Sequence, residues 1–96
     1  MMVVVSYDMN TMQKEGRKRL RRVAKACSDY GQRVQFSVFE CLVDPVQFAI
    51  LKKRLLEEYD PNEDSIRFYY LGGRWKNKVE NYGIKNPVDL EGPLII

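Results

Sequence analysis

A carboxylate at the end of a short apolar segment is the first residue in the sequence that could do chemistry. Residues 2–8 read MVVVSYD, a β-branched and aromatic run that is typical of a strand and ends at Asp8. A side chain at the end of a strand can face a ligand, and Mg²⁺ prefers carboxylate, water and phosphate oxygens. Asp8 is therefore a candidate metal ligand, with a cap or turn residue before the first helix as the alternative.

A lone carboxylate makes a sparse metal site, because Mg²⁺ is held by more than one oxygen ligand. A two-fold axis that brought two copies of Asp8 together would double the number of carboxylates. Ser6 and Tyr7, beside Asp8, could contact a substrate, although a tyrosine in a strand is more typical of a core or an interface.

Several other kinds of site are excluded. The sequence contains no histidine, which rules out Ser–His and Cys–His nucleophile pairs and most zinc chemistry. Cys27 and Cys41 stand alone in apolar surroundings without CxxC spacing, so we expect buried, reduced thiols. Asp60, Glu63 and Asp64 lack the spacing of a calcium-binding loop and predict a solvated turn.

Positive charge is concentrated in residues 14–33. This segment holds eight Lys or Arg against two acidic residues, whereas the rest of the chain holds eight bases and eleven acids. Like charges on one helix face repel unless a partner neutralises them, which favours contact with a polyanion over a merely solvated face. The candidate nucleic-acid contacts are Lys14, Arg17, Lys18, Arg19, Arg21, Arg22, Lys25 and Arg33.

Two aromatic segments are open to more than one interpretation. Phe36, Val38 and Phe39 are predicted as core residues rather than a base-stacking platform, because no RNP-like Gly-Phe pattern surrounds them. Residues 74–78 read RWKNK, which suits either a nucleic-acid strand or a half-buried tryptophan anchor.

Helix and strand patterns alternate along the chain. The loop at 10–16 leads into a helix whose apolar side repeats with the helical period, and Asp44-Pro45 is typical of a second helix start. A βαββαβ ferredoxin-like α+β layer with a fifth strand results if the extended run 33–43 folds back on itself, although it contains no Gly or Pro to mark a turn. The predicted order is strand 2–8, helix to Gly31, extended run 33–43, helix from Asp44, strand 65–71 and short strand 79–82.

The length of 96 residues predicts one domain, 1–96, that self-associates. A monomer would struggle to cover the apolar end Leu94-Ile95-Ile96, so we expect a homodimer in which residues 79–96 pair with the partner's sheet. The apolar N-terminal run is too short for a signal peptide or a membrane span, and we expect a cytoplasmic protein without a membrane partner.

Several strings of residues resemble one known family. They are Ser6-Tyr7-Asp8, RLRRVAK at 19–25, GQRVQFSVFE at 31–40, Asp44-Pro45, Arg67, Leu71-Gly72 and DLEGPL at 89–94. Together they are similar to the Cas-two proteins of CRISPR systems, particularly the type I-C group, over essentially the whole chain. The central string is the most specific of them.

The resemblance implies a ferredoxin-like fold in which the run 33–43 divides into a short second strand and a third strand near Ser37. It also implies a symmetric homodimer whose last strand crosses to the other protomer's sheet. Such a dimer lies between subunits of the CRISPR integrase, the Cas-one family, when new spacers are acquired. Double-stranded DNA and single-stranded RNA are the nucleic acids that the resemblance implies.

The resemblance further implies an endonuclease that depends on Mg²⁺ or another divalent cation. Asp8 would be its catalytic metal ligand, and Tyr7 would flank the metal. The other implied site residues are arginines within 19–22 and Arg33, as backbone contacts, and Ser37 with Phe39, as residues that shape the site.

Two other functions remain open. One carboxylate per chain and no histidine make a sparse catalytic site, whereas a duplex platform needs only a basic surface and a dimer. The protein could therefore be a purely structural DNA-binding adaptor. A toxin-like ribonuclease related to the VapD proteins, which resemble this family in fold, is the third possibility.

Overall fold

Helices and strands alternate in the predicted order in the computed structural model of the chain, which describes residues 1–71 and 78–84. Most of the RWKNK stretch lies outside the described residues. The elements are β1 (Met2–Asp8), α1 (Lys14–Tyr30), β2 (Gln32–Gln35), β3 (Val38–Leu42), α2 (Pro45–Glu58), β4 (Ser65–Leu71) and β5 (Lys78–Gly83).

The five described strands form one sheet in the order β2-β3-β1-β4-β5, and each neighbouring pair is antiparallel. β1 lies between β3 and β4, the two strands that α2 joins. β3 in turn lies between β1 and β2, which α1 joins. This is the βαββαβ ferredoxin-like arrangement with an added edge strand, so the predicted α+β fold is confirmed.

The extended run 33–43 does fold back on itself. β2 ends at Gln35, β3 begins at Val38, and the pairing shifts register between Arg33 and Gln35. Phe36 and Ser37 form the turn, which contains no Gly or Pro and only the weaker turn residue Ser37. The sequence pattern alone therefore had no strong signal for this hairpin, whereas the family resemblance implied it.

The two faces of the sheet differ in what covers them. Along β1, Val3, Val5 and Tyr7 are buried in one core with apolar residues of both helices. The alternate residues of β1 are only partly buried, and Asp8 is exposed. We call this second side, which carries no described helix, the open face of the sheet.

Helix α2 begins at a capping motif, whereas α1 begins after Gln13 without a side-chain cap. The Asp44 carboxylate accepts from the Gln47 backbone N–H at 2.7 Å, and the Asp44 N–H donates to the Gln47 side chain at 3.0 Å, which completes a capping box. α1 starts at Lys14, inside the stretch expected as a loop. Gly16 is buried there against the carbonyl oxygen of Asn10, so a Cβ on any other residue at this position would clash with that oxygen.

The cysteines belong to the core, as predicted. Cys27 and Cys41 are free thiols with no exposed surface. Burial raises the pKa of Cys27 to about 12 and that of Cys41 to about 11. Neither thiol is a nucleophile at neutral pH, since the thiolate is the reactive form.

β5 pairs with β4 of the same chain from Lys78 to Gly83. Residues 85–96 lie outside the described ones. The expected exchange of residues 79–96 with a partner's sheet concerns the dimer, and it stays a prediction. Neither α1 nor α2 is long and apolar enough to cross a membrane.

Candidate nucleic-acid and metal site

Asp8 ends β1 on the open face of the sheet, where its side chain is exposed. Alternation along the strand places Ser6 on the same face, and Arg67 of β4 is the register partner of Ser6. Arg67 donates from Nε to the Asn81 side-chain oxygen on β5 at 2.8 Å. A hydroxyl and a guanidinium thus share this face with the carboxylate, and sequence reasoning had not assigned Arg67 to the site.

The described carboxylates do not form a metal cage. Across residues 1–71 and 78–84, no group of three or more His, Cys, Asp or Glu side chains could hold a metal ion. Asp8 alone suits a Mg²⁺ that takes most of its ligands from water and phosphate oxygens. A complete site would therefore need a substrate phosphate or a second copy of the chain.

Tyr7 lies on the opposite face from Asp8, because successive side chains of a strand point to opposite faces. Its side chain is only 4% exposed, and its ring stacks against Phe39 with centroids 6.2 Å apart. Burial raises the pKa of Tyr7, and the Arg33 guanidinium opposes part of that rise. Tyr7 is therefore a core residue, which corrects the expectation that it flanks the metal.

Two hydrogen bonds from Tyr7 hold the β2–β3 turn against the end of β1. The Tyr7 N–H donates to the Ser37 carbonyl at 3.1 Å, and the Tyr7 hydroxyl donates to the Phe36 carbonyl at 3.4 Å. Phe39 is fully buried beneath this turn. Ser37 and Phe39 thus shape the end of the sheet beside Asp8 through the backbone and the core, respectively.

Phe36 was predicted as a core residue, and this prediction is wrong. Its side chain is 93% exposed, because Phe36 lies in the turn between β2 and β3 and not in either strand. Val38 is only partly buried, on the open face, whereas Phe39 belongs to the core as predicted.

The Arg19 side chain forms an ion pair with Asp64 inside the protein. Its Nε lies 2.7 Å from Oδ2 of Asp64, and the Arg19 side chain is 17% exposed while that of Asp64 is fully buried. A second nitrogen of Arg19 donates to the other carboxylate oxygen at 3.3 Å. Arg19 is therefore removed from the predicted nucleic-acid contacts.

Asp64 is a buried junction rather than part of a solvated turn, which corrects the prediction for this residue. Its carboxylate also accepts from the backbone N–H groups of Asn10 and Asp60, both at 2.9 Å. Burial opposes its ionisation, but the Arg19 hydrogen bond and these two donors outweigh that effect and lower the pKa of Asp64. The junction holds the loop that follows Asp8.

The same residue fixes the end of β5. The Ile84 N–H donates to the Asp64 carbonyl at 3.1 Å. Gly83 lies close against that carbonyl with a φ of 111°, a conformation that favours glycine. Asp64 thus joins the loop after β1, helix α1 and the end of β5.

A basic cleft runs between α1 and α2. Lys18 and Arg21 form no ion pair with any carboxylate in the described ranges, whereas Arg22 lies 3.7 Å from Glu58 and Lys25 lies 2.6 Å from Asp29. Arg17, outside the cleft, donates to the Thr11 carbonyl at 3.1 Å. The residues that line the cleft are Lys18, Arg21, Arg22, Lys25, Arg54 and Glu58.

Arg33 stands apart from this cleft, on the exposed edge strand β2. Its guanidinium carbon lies 5.1 Å from the centroid of the Phe39 ring. None of the described carboxylates forms an ion pair with it. Among the candidate cations that form no ion pair with a described carboxylate, Lys18 and Arg21 therefore lie in the cleft and Arg33 lies on the β2 edge.

Known proteins are similar to this chain in sequence and in fold. The chain is 60% identical over 96 residues to a CRISPR-associated endoribonuclease Cas2 of Nitratidesulfovibrio vulgaris, which covers 100% of this chain and 94% of that protein. It is 54% identical over 95 residues to a CRISPR-associated endonuclease Cas2 of Halalkalibacterium halodurans, with 99% of each chain covered.

A solved structure of a similar protein has the same fold as this chain. The crystal structure of Streptococcus pyogenes Cas2 at pH 6.5 superposes with a TM-score of 0.71 at 60% identity, and it covers 83% of this chain and 96% of that one. The family model for CRISPR associated protein Cas2 matches residues 1–79, which include all the candidate site residues described above. The chain therefore belongs to the Cas2 family of CRISPR-associated proteins.

Proposed function

We propose that this chain is a dimeric nucleic-acid-binding protein of CRISPR adaptation with a Mg²⁺-dependent endonuclease activity on single-stranded RNA or double-stranded DNA. Family membership and the endoribonuclease and endonuclease names of its relatives support a CRISPR-associated nuclease role. The observation that carries the proposal is the exposed carboxylate of Asp8, which shares the open face with Ser6 and Arg67.

Asp8 would hold the cation through its carboxylate oxygens. A bound Mg²⁺ neutralises charge that develops on a phosphodiester and makes water a better nucleophile. The role of the protein's own structure is to position Asp8. Strands β1 and β4 hold Asp8 opposite Ser65, and the Asp64 junction fixes the loop that follows Asp8. Lys18, Arg21 and Arg33 would bind the phosphate backbone electrostatically.

Apolar side chains on the open face support a homodimer. Leu42 is 74% exposed and Leu71 is 45% exposed, and both flank Met2 in the sheet register. A small domain with such a face buries it most simply against a second copy of itself. The CRISPR integrase of the Cas-one family is a further partner proposal, and it rests on family membership.

Cleavage of single-stranded RNA is expected in the presence of Mg²⁺ and not in excess EDTA. The reason is that Asp8 would act through a bound cation, which EDTA removes. Gel analysis of a labelled strand with stringently purified protein measures this effect. Equal cleavage in EDTA would contradict the proposed metal site.

Binding of duplex DNA is expected to be independent of sequence and steeply dependent on salt, since backbone contacts dominate it. Replacing Lys18 and Arg21 together by Ala should flatten the plot of log affinity against log salt by roughly one unit for each phosphate that the variant no longer neutralises. Lys53→Ala, an exposed cation on α2 outside the lining of the cleft, is the control. An unchanged slope in the double variant would mean that the cleft is only solvated.

A further inference from the structure

We propose that Phe36 is a nucleobase-stacking residue that captures a base of a single-stranded nucleic acid beside Asp8. This inference rests on the proposed function and names the form of nucleic acid that the site accepts. It reverses the sequence-based interpretation of Phe36 as a core residue.

The exposure of Phe36 is the first observation. At 93% it is the most exposed of the large apolar side chains within the described ranges, and Val34 beside it is 47% exposed. A ring at the tip of a hairpin contributes nothing to the core, yet its apolar surface remains in water at a cost of free energy. A flat ring partner, such as a nucleobase, would cover it by stacking.

The position of Phe36 is the second observation. Its carbonyl and that of Ser37 both accept hydrogen bonds from Tyr7, the residue before Asp8. The hairpin tip therefore lies beside the strand end that carries the proposed metal ligand. A base on the Phe36 ring would therefore lie at the end of the sheet that carries Asp8.

The tip is also held in place before any ligand arrives. The two bonds from Tyr7 fix the turn, and Phe39 anchors the next residues of β3 in the core. An aromatic side chain on a fixed backbone loses little conformational entropy on binding. The backbone that carries the ring is thus in place before binding, and only the two side-chain torsions of Phe36 remain to be ordered.

The charge around Phe36 suits a nucleic acid rather than an apolar protein partner. The shallow pocket beside the turn is lined by Arg33, Val34, Gln35, Phe36, Ser37 and Val38. It contains one cation, Arg33, with amide and hydroxyl groups, and no carboxylate among its lining residues. A guanidinium can bind a phosphate while the ring binds a base, as in other single-strand sites.

Stacking on Phe36 requires a base that is not already stacked within a helix. Bases of a duplex are buried against each other, whereas those of a single strand are free to lie on an aromatic side chain. Base–aromatic stacking tolerates any sequence, because every base has a π-face. We therefore expect the residue to discriminate single strands from duplexes and not one sequence from another.

The test is the affinity of Phe36 variants for matched oligonucleotides, measured by fluorescence anisotropy in EDTA. One oligonucleotide carries normal bases, and the other has the same length with stable tetrahydrofuran abasic units. Phe36→Leu, which keeps an apolar side chain without the ring, should weaken binding of the base-bearing strand roughly 5- to 100-fold. Binding of the abasic strand and of duplex DNA should not change, and Phe36→Tyr should bind like the unchanged protein.

Three outcomes would overturn the proposal. An equal loss for the base-bearing and abasic strands would make Phe36 a general structural residue, and full binding by Phe36→Leu would exclude stacking. Loss of dimerisation by Phe36→Leu in sedimentation would place the ring in a subunit interface instead. Because the assay contains EDTA, its result does not depend on the metal role of Asp8, so the two proposals can fail separately.

Discussion

Asp8→Asn should reduce Mg²⁺-dependent cleavage by orders of magnitude while the fold survives. Asparagine keeps the size and part of the hydrogen bonding of Asp8 but removes the charge that attracts the cation. The side chain is exposed at the end of β1 and makes no contribution to the buried core. Cleavage rates over a Mg²⁺ titration, with far-ultraviolet circular dichroism for the fold, measure both effects.

A change of charge elsewhere is the matched control for Asp8→Asn. Glu57→Gln alters one exposed carboxylate on α2 in the same chemical way, and we expect it to retain cleavage. Duplex binding by Asp8→Asn should be preserved or slightly stronger, because a negative charge is removed from a surface that binds phosphate. Full cleavage by the purified variant would refute the metal-site assignment, and loss of dimerisation would make Asp8 a strand-end cap.

The order of elements was predictable because local signals agree with the fold. The Asp44-Pro45 helix start works as the capping box that its residue types suggest. Helix α1 carries its buried residues, Val23 and Cys27 among them, on one periodic face. The β2–β3 hairpin was not predictable from pattern, since the run 33–43 contains no Gly or Pro and Ser37 is only a weak turn signal.

The candidate site was predictable only in part, because ion pairs between residues distant in sequence decide which charged side chains remain available to a ligand. Nothing in the sequence distinguishes Arg19 from Arg21, yet only Arg19 reaches a buried carboxylate 45 residues away. In the same way, Asp64 resembles its acidic neighbours Asp60 and Glu63 until the fold encloses it. The type of a charged residue indicates what it can bind, whereas the tertiary structure decides whether its partner is internal.

Asp64→Ala is expected to destabilise the fold by about 3–5 kcal/mol, the cost of removing one partner of a buried ion pair. The Arg19 guanidinium would lose its partner, and the N–H groups of Asn10 and Asp60 would lose their acceptor. The midpoint of urea denaturation, with the slope of the transition, measures the loss. Glu63→Ala, which removes an exposed bond to the Asn10 side chain, should cost far less.

The pH dependence of this loss identifies the ion pair as its cause. The folded protein lowers the pKa of Asp64, so the stabilisation is complete above the unfolded value of about 3.9 and is lost as the pH falls through the folded value. The difference in unfolding free energy between the unchanged protein and Asp64→Ala should therefore narrow below about pH 4. A difference that stays constant down to acid pH would show that Asp64 acts through packing alone and that its charge contributes nothing.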